Sequence, residues 1–211
     1  MLKRKKIIVF ASGSGSNFVS IFDHIQNGGI NGEIVLLVSD KENCGAIKFA
    51  EKNDIEVLSI QNKTFNNNAE YAVFLLNKIN SKKADLLVLA GYLKMIPDTV
   101  IKRYKQKILN IHPSLLPKYG GKGFYGMNVH KAVVEAGDTI TGATVHFVDE
   151  IYDNGPIVAQ KHIIINENES AEIVSEEVLK IEHELYPYVV KAFCENKIKW
   201  DENIPQIIGM D

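Results

Sequence analysis

The sequence predicts an α/β fold: a doubly wound, mainly parallel sheet, an antiparallel extension and a long C-terminal helix. Three observations point there. Short β-branched runs alternate with longer amphipathic ones through the first half, the pattern of βα units on a parallel sheet. After the loop from Pro113 to Met127 the rhythm changes, and two strand-like runs follow one another without a full helix between them. A long helix, Ser170 to about Glu195, then closes the chain.

The elements follow in order. Strands are expected at Lys6–Ala11, Glu33–Ser39, Glu56–Ile60, Asp85–Ala90 and Lys107–Ile111. Helices fill the gaps at Asn17–Gln26, Cys44–Asn53 and Ala69–Asn80, each with apolar residues three and four apart. The antiparallel pair is expected at Thr141–Val148 and Pro156–Ile165. Asn66-Asn67-Asn68 reads as a loop by composition. There is no internal repeat.

Nothing resembling a linker divides the 211 residues, so a single domain over residues 1–211 is the expectation. Hydrophobic residues at 45% and charged residues at 24% suffice for a globular core. A net charge of −2 argues against non-specific nucleic-acid binding, which needs a clustered cationic excess. The basic start, Met1 to Lys6, meets an apolar run that Ser12-Gly13 cuts too short for a signal peptide. No stretch reaches the roughly 18 to 20 apolar residues of a membrane span. The expectation is a cytoplasmic protein with no nucleic-acid or membrane partner, as a monomer or homodimer. Cys44 and Cys194 lie far apart and in no metal-ligand spacing, so free thiols and no metal site are expected.

Three motifs carry chemistry. The first is Ser12-Gly13-Ser14-Gly15-Ser16-Asn17, where a strand hands over to a helix. Glycines let the backbone turn tightly, and the helix start offers unpaired N–H groups to a phosphate. A plain turn with Ser16 or Asn17 as N-cap is the alternative. A Rossmann-type dinucleotide site is a rival, with Gly13, Gly15 and Asp40 in suitable places, but the third glycine position is Phe18. The second is Asn110-Ile111-His112-Pro113, at the carboxyl end of a predicted central strand. Asn110 and His112, two apart, share one face of that strand, so an amide and an imidazole converge. His24, His130 and His162 read as surface or packing residues; His146 is closer to the site but without a clear partner. The third is the acidic turn Asp149-Glu150-Ile151-Tyr152-Asp153-Asn154-Gly155, which composition alone reads as a solvated turn.

The string Asn110-Ile111-His112-Pro113-Ser114-Leu115-Leu116-Pro117, with Asp153 ahead of Asn154-Gly155-Pro156, resembles the folate-dependent formyltransferases. Gly13-Ser14-Gly15-Ser16-Asn17 and Glu182-His183 are similar to the branch that formylates phosphoribosylglycinamide in purine biosynthesis. The resemblance covers nearly the whole chain and implies a formyltransferase-like fold with small-molecule substrates. It implies that 10-formyltetrahydrofolate is the co-substrate and that Asn110, His112 and Asp153 are catalytic. Gly15, Ser16 and Asn17 would hold the substrate phosphate, while Gly91 and Glu182 face the amine substrate. Leu93, Lys94, Met95 and Ile96, with Asn110 and the turn Asp149, Glu150, Ile151, Tyr152 and Asp153, would line the folate pocket. For Leu93, Met95 and Ile96 core packing is the bland alternative, and for Glu182 an exposed helix charge.

In that chemistry the substrate amine is its own nucleophile, so the protein stabilises an oxyanion and manages protons. Asn110 and a protonated His112 donate to the oxyanion, His112 acts as general acid, and Asp153 is expected to raise its pKa. Asn68 stands where relatives often have an arginine, and the glycine-rich stretch Lys118–Gly126 is a candidate lid over the folate. Other readings stay open: a formyltransferase for a sugar-nucleotide amine, or a non-catalytic dinucleotide-binding module. A formyl-methionyl-tRNA-type enzyme and a formyltetrahydrofolate hydrolase are expected to need further domains.

Overall fold

The computed structural model describes residues 3–166 and 168–210, so Met1 and Leu2 of the basic start lie outside the described residues. The strand order is β3-β2-β1-β4-β5-β6-β7, with a separate β8-β9 pair, for the elements bounded below. Two compact units, Met1–Leu109 and Asn110–Asp211, divide the chain.

The first unit is built on β1 (Lys5–Phe10), which pairs in parallel with β2 (Gly32–Ser39) and β4 (Leu86–Leu89). Strand β3 (Val57–Ser59) extends the sheet beyond β2, again in parallel. Ile7, Ile8, Val9 and Phe10 are all fully buried. A strand covered on both faces reads as a continuous apolar run rather than an alternation, and this is why the sequence shows one. Helix α1 (Ser16–Gln26) buries Phe18, Ile21 and Ile25 along one stripe, and α2 (Gly45–Lys52) buries Ala46, Ile47 and Ala50. Helix α3 (Asn68–Ser81) begins inside the asparagine run read as loop. The reason is a cap: Asn67 accepts from the Glu70 amide at 2.9 Å, and Glu70 accepts from the Asn66 amide at 3.2 Å. A short α4 (Asp98–Arg103) follows Pro97, with Asp98 in its first turn and Lys102 and Arg103 in its last, matching the helix dipole.

Strand β5 (Ile108–His112) begins in the first unit and ends in the second. In the second unit α5 (Met127–Glu135) precedes β6 (Ile140–Phe147), which pairs antiparallel with β7 (Ile157–Ile164). Helix α6 (Ala171–Cys194) is capped by Ser170 and buries, among others, Val174, Val178, Ile181, Leu185 and Val189. The chain does not end on that helix. A hairpin of β8 (Ile198–Asp201) and β9 (Ile204–Ile207) comes after it and stacks Trp200 on Phe147 at 5.0 Å between ring centroids. No described helix is long and apolar enough to cross a membrane.

Candidate active site

In the first unit, the turn after β1 is held by its neighbours. Gly15 has φ +79°, and a Cβ there would lie 2.8 Å from Ala46 Cβ and 2.9 Å from Ala46 Cα. Only glycine fits both the left-handed backbone and that contact. The Ala46 amide donates to the Gly13 carbonyl at 3.2 Å, so the start of α2 clamps the turn. Gly15 is the N-cap of α1, without a side-chain cap bond, and Ser16 is the first helical residue. The expected cap at Ser16 or Asn17 is therefore replaced by Gly15. Phe18 is fully buried and packs edge-on against Phe49 at 5.2 Å. A dinucleotide fingerprint needs the helix close against the strand at that position; here an aromatic pair occupies it.

The stretch after β4 also lies in this unit. Gly91 has φ +74°, and its carbonyl accepts from the Ser12 amide at 3.1 Å. The Leu93 amide donates to Ser12 Oγ at 3.1 Å. Ile96 is buried and packs in the core, whereas Leu93 and Met95 are 49% and 43% exposed and Lys94 is exposed. Core packing thus accounts for Ile96 and leaves the other two apolar side chains unexplained by the fold.

In the second unit, three segments converge at the carboxyl end of β5. Asn110 Nδ2 donates to His146 Nε2 at 3.0 Å and, more weakly, to Asp153 Oδ1 at 3.4 Å. His112 Nε2 lies 2.7 Å from the Tyr119 carbonyl, and its Nδ1 lies 3.5 Å from Asp153 Oδ2. The Gly121 amide donates to the same Asp153 oxygen at 2.9 Å. A carbonyl can only accept, so Nε2 of His112 carries a proton and Nδ1 is the nitrogen that titrates. By the same logic His146 Nδ1, 2.8 Å from the Phe147 carbonyl, is protonated, and its Nε2 accepts from Asn110. His146 was not expected to have a partner; it is the residue that orients the Asn110 amide. Beside His146 the pairing with β7 skips Val158, so the extra residue of this irregularity lies on β7.

Two of the eight described non-glycine residues with left-handed backbone lie here. Tyr119 and Asp153 have φ +54° and +53°, and non-glycine residues in that region cost on the order of 1 to 3 kcal/mol each. The acidic turn closes because Gly155 approaches Phe147, where a Cβ would come within 1.9 Å of the carbonyl oxygen. Asp149 serves the turn itself: it accepts from the Ile151 amide and from Asn154 Nδ2, both at 2.9 Å. Glu150, Ile151 and Tyr152 are exposed. The loop after His112 is pinned by Thr144, whose hydroxyl donates to the Ser114 carbonyl at 2.6 Å and accepts from the Leu116 amide at 3.0 Å. Glu182 on α6 is only 7% exposed, so the reading of an exposed helix charge does not hold.

The electrostatics correct one expectation. Burial pushes the His112 pKa down, and this outweighs the opposing pull of Asp153 and of the Tyr119 carbonyl; His146 adds to the lowering. Asp153 favours the imidazolium as expected, but the net shift is downward because the ring is almost wholly withdrawn from water. Burial also pushes Asp153 up, but the His146 ring, the His112 charge and the Gly121 amide together bring it below the usual carboxylate range. At 3.7 Å, His146 Nε2 and Asp153 lie beyond hydrogen-bond distance. His130 is buried, its Nδ1 has no hydrogen-bond partner among the described residues, and its pKa is lowered to about 4.

A carboxylate, an amide and two imidazoles thus meet at the end of a strand in a fold of βα units. The formyl transferase family model matches residues 5–190, and the chain belongs to the formyl transferase family. A phosphoribosylglycinamide formyltransferase of Bacillus subtilis (strain 168) is 38% identical over 187 residues, 89% of this chain and 93% of that protein. A chloroplastic phosphoribosylglycinamide formyltransferase of Vigna unguiculata is 42% identical over 207 residues, 98% of this chain; the chain spans 66% of that relative's length. Among solved structures, glycinamide ribonucleotide transformylase 1 of Symbiobacterium toebii superposes with a TM-score of 0.92 at 27% identity, covering 99% of this chain and 96% of that one.

Proposed function

We propose that this chain transfers the formyl group of 10-formyltetrahydrofolate to the amine of 5-phosphoribosylglycinamide, as one functional formyltransferase domain. The observation that carries this reading is Asp153 bridging Asn110 and His112 at the carboxyl end of β5. The relatives' names supply the substrate, and the family match runs through both compact units.

In this reading the amine attacks the formyl carbon and charge develops on the formyl oxygen. Asn110 meets it with an N–H released from Asp153, since the 3.4 Å contact is the weaker of its two bonds. The His146 bond keeps the amide from turning over while this happens. A lowered pKa leaves His112 mainly neutral near pH 7, ready to take the amine's proton at Nδ1 and pass it to the departing folate nitrogen. Asp153 stabilises the imidazolium formed in between. Gly15, Ser16 and Asn17 take the phosphate at the start of α1, and Gly91 and Glu182 the rest of the amine substrate. Leu93, Lys94, Met95, Ile96 and the turn Asp149–Asp153 take the folate, with Leu93 and Met95 offering apolar surface and Ile96 backing them from the core. A reducing, cytoplasmic compartment belongs to the same reading, and the free thiols of Cys44 and Cys194 support it.

The test is incubation with 10-formyltetrahydrofolate and phosphoribosylglycinamide, following folate release optically. Turnover with this amine is expected. Turnover with a sugar-nucleotide amine instead would move the chain to another member of the family. Thermal stabilisation by NAD and not by a folate analogue would point to a dinucleotide-binding module.

A further inference from the structure

We propose that Asp138, in the turn between α5 and β6, is a positioning residue for His112 and acts through Tyr119. The proposal rests on the reading of His112 as the proton-handling group. Tyr119 holds two parts of the site together with its two ends. Its carbonyl takes the His112 Nε2 hydrogen at 2.7 Å, and its hydroxyl donates to Asp138 Oδ2 at 2.9 Å. Asp138 also accepts from Lys118 Nζ at 3.0 and 2.9 Å. Two residues on, Gly121 holds Asp153. The short run from Lys118 to Gly121 therefore joins both members of the His112–Asp153 pair to one carboxylate outside it.

Tyr119 needs such an anchor. An aromatic residue at φ +54° is in a region that bulky side chains rarely adopt. With the ring tied at its hydroxyl, the backbone cannot relax without breaking the bond to Asp138, and the carbonyl stays aimed at His112. Of the two partners of Asp138, Lys118 is 67% exposed at the side chain, so solvent screens its ion pair. The phenol is half-buried and sits on the residue whose carbonyl matters. Lys118 and Tyr119 hold the Asp138 carboxyl below the usual carboxylate range, so the tether stays intact while His112 titrates.

The sign follows from the groups that face His112. Asp153 and the Tyr119 carbonyl favour the imidazolium; burial, His146 and His130 oppose it. Removing the tether frees the Tyr119 carbonyl and leaves the other groups in place. His112 then titrates at still lower pH, and its ring loses its fixed orientation.

The experiment uses the full chain with Tyr119→Phe and Asp138→Asn. Tyr119→Phe keeps the ring and its packing against Phe124, 6.0 Å away between centroids, so it guards against a folding failure of the other variant. Nitrogen NMR of the histidine side chains follows the His112 titration, and kcat and KM are measured against pH. The expected result is a lower His112 titration midpoint in both variants. Turnover should fall about tenfold, between no effect and the hundredfold loss that an ångström of misplacement can cause, with KM nearly unchanged. An unmoved His112 titration in the folded Tyr119→Phe protein would overturn the proposal. If the wild-type chain failed to formylate the amine, the proposed function would fall, while the NMR titration would still decide the tether.

Discussion

The turn after β1 and the loop after β5 both lie at carboxyl ends of strands, yet they present polar groups in opposite ways. The first works with backbone: Gly15 is wedged against Ala46, and no side chain caps α1. The second works with side chains that are almost fully engaged. Asn110 uses both amide hydrogens, His112 faces protein atoms with both ring nitrogens, and Asp153 has a partner at each oxygen. A backbone cradle suits an anion whose charge does not change. A cross-linked set of side chains suits a reaction in which charge and protons move, because small displacements redistribute its bonds.

Substitutions in the two loops should therefore have different consequences. The largest effect is expected for Asn110→Ala, which removes the oxyanion donor and leaves His146 and Asp153 without it. Turnover should drop about 10² to 10³-fold, on the order of 3 to 4 kcal/mol, with the denaturation midpoint little changed. Gly15→Ala attacks the cradle through the backbone. A Cβ at 2.8 Å from Ala46 on a left-handed residue should cost up to about 3 kcal/mol in urea melts and raise KM for the phosphorylated amine more than it lowers kcat.

The next concerns pH. His130 is buried with its pKa lowered to about 4, so between pH 6.5 and 4 the unfolded chain binds a proton that the folded one does not. Stability therefore falls as pH drops through that window, by about 2 kcal/mol from pH 7 to pH 5. His130→Leu should flatten that slope in denaturation curves, although His112, shifted the same way, leaves part of it. The smallest effect belongs to a polar side chain that only builds the fold. Asn67→Ala removes the cap of α3 and should cost about 1 kcal/mol of stability with no change in turnover.

What the sequence made legible follows the same contrast. The four strands β1 to β4 and the three helices between them came out within a residue or two, because buried parallel strands write continuous apolar runs and the glycine turn is a local pattern, whereas the short α4 was not read. Asn110 and His112 were legible from strand alternation. His146 was not, because its bond to Asn110 spans 36 residues. The alternation that places Thr144 and His146 on one face was the available signal. Asp153 could be found only by resemblance, since its turn looks like any solvated acidic turn. Helix α5 was hidden behind a glycine-rich stretch because Gly126 caps it without a side chain. The β8-β9 hairpin turns through Glu202 at φ +52° rather than through a glycine, so it shows no turn signature. The pull of Asp153 on His112 was legible because a neighbouring carboxylate is visible in a motif, whereas the larger, opposing effect of burial is a property of the whole fold.

In the proposed function the side-chain set at the end of β5 carries the formyl transfer. The most direct measurement is the single-turnover rate of His112→Ala with saturating 10-formyltetrahydrofolate and phosphoribosylglycinamide. The account predicts a rate lower by about 10² or more with substrate binding retained, and a near-normal rate would contradict it.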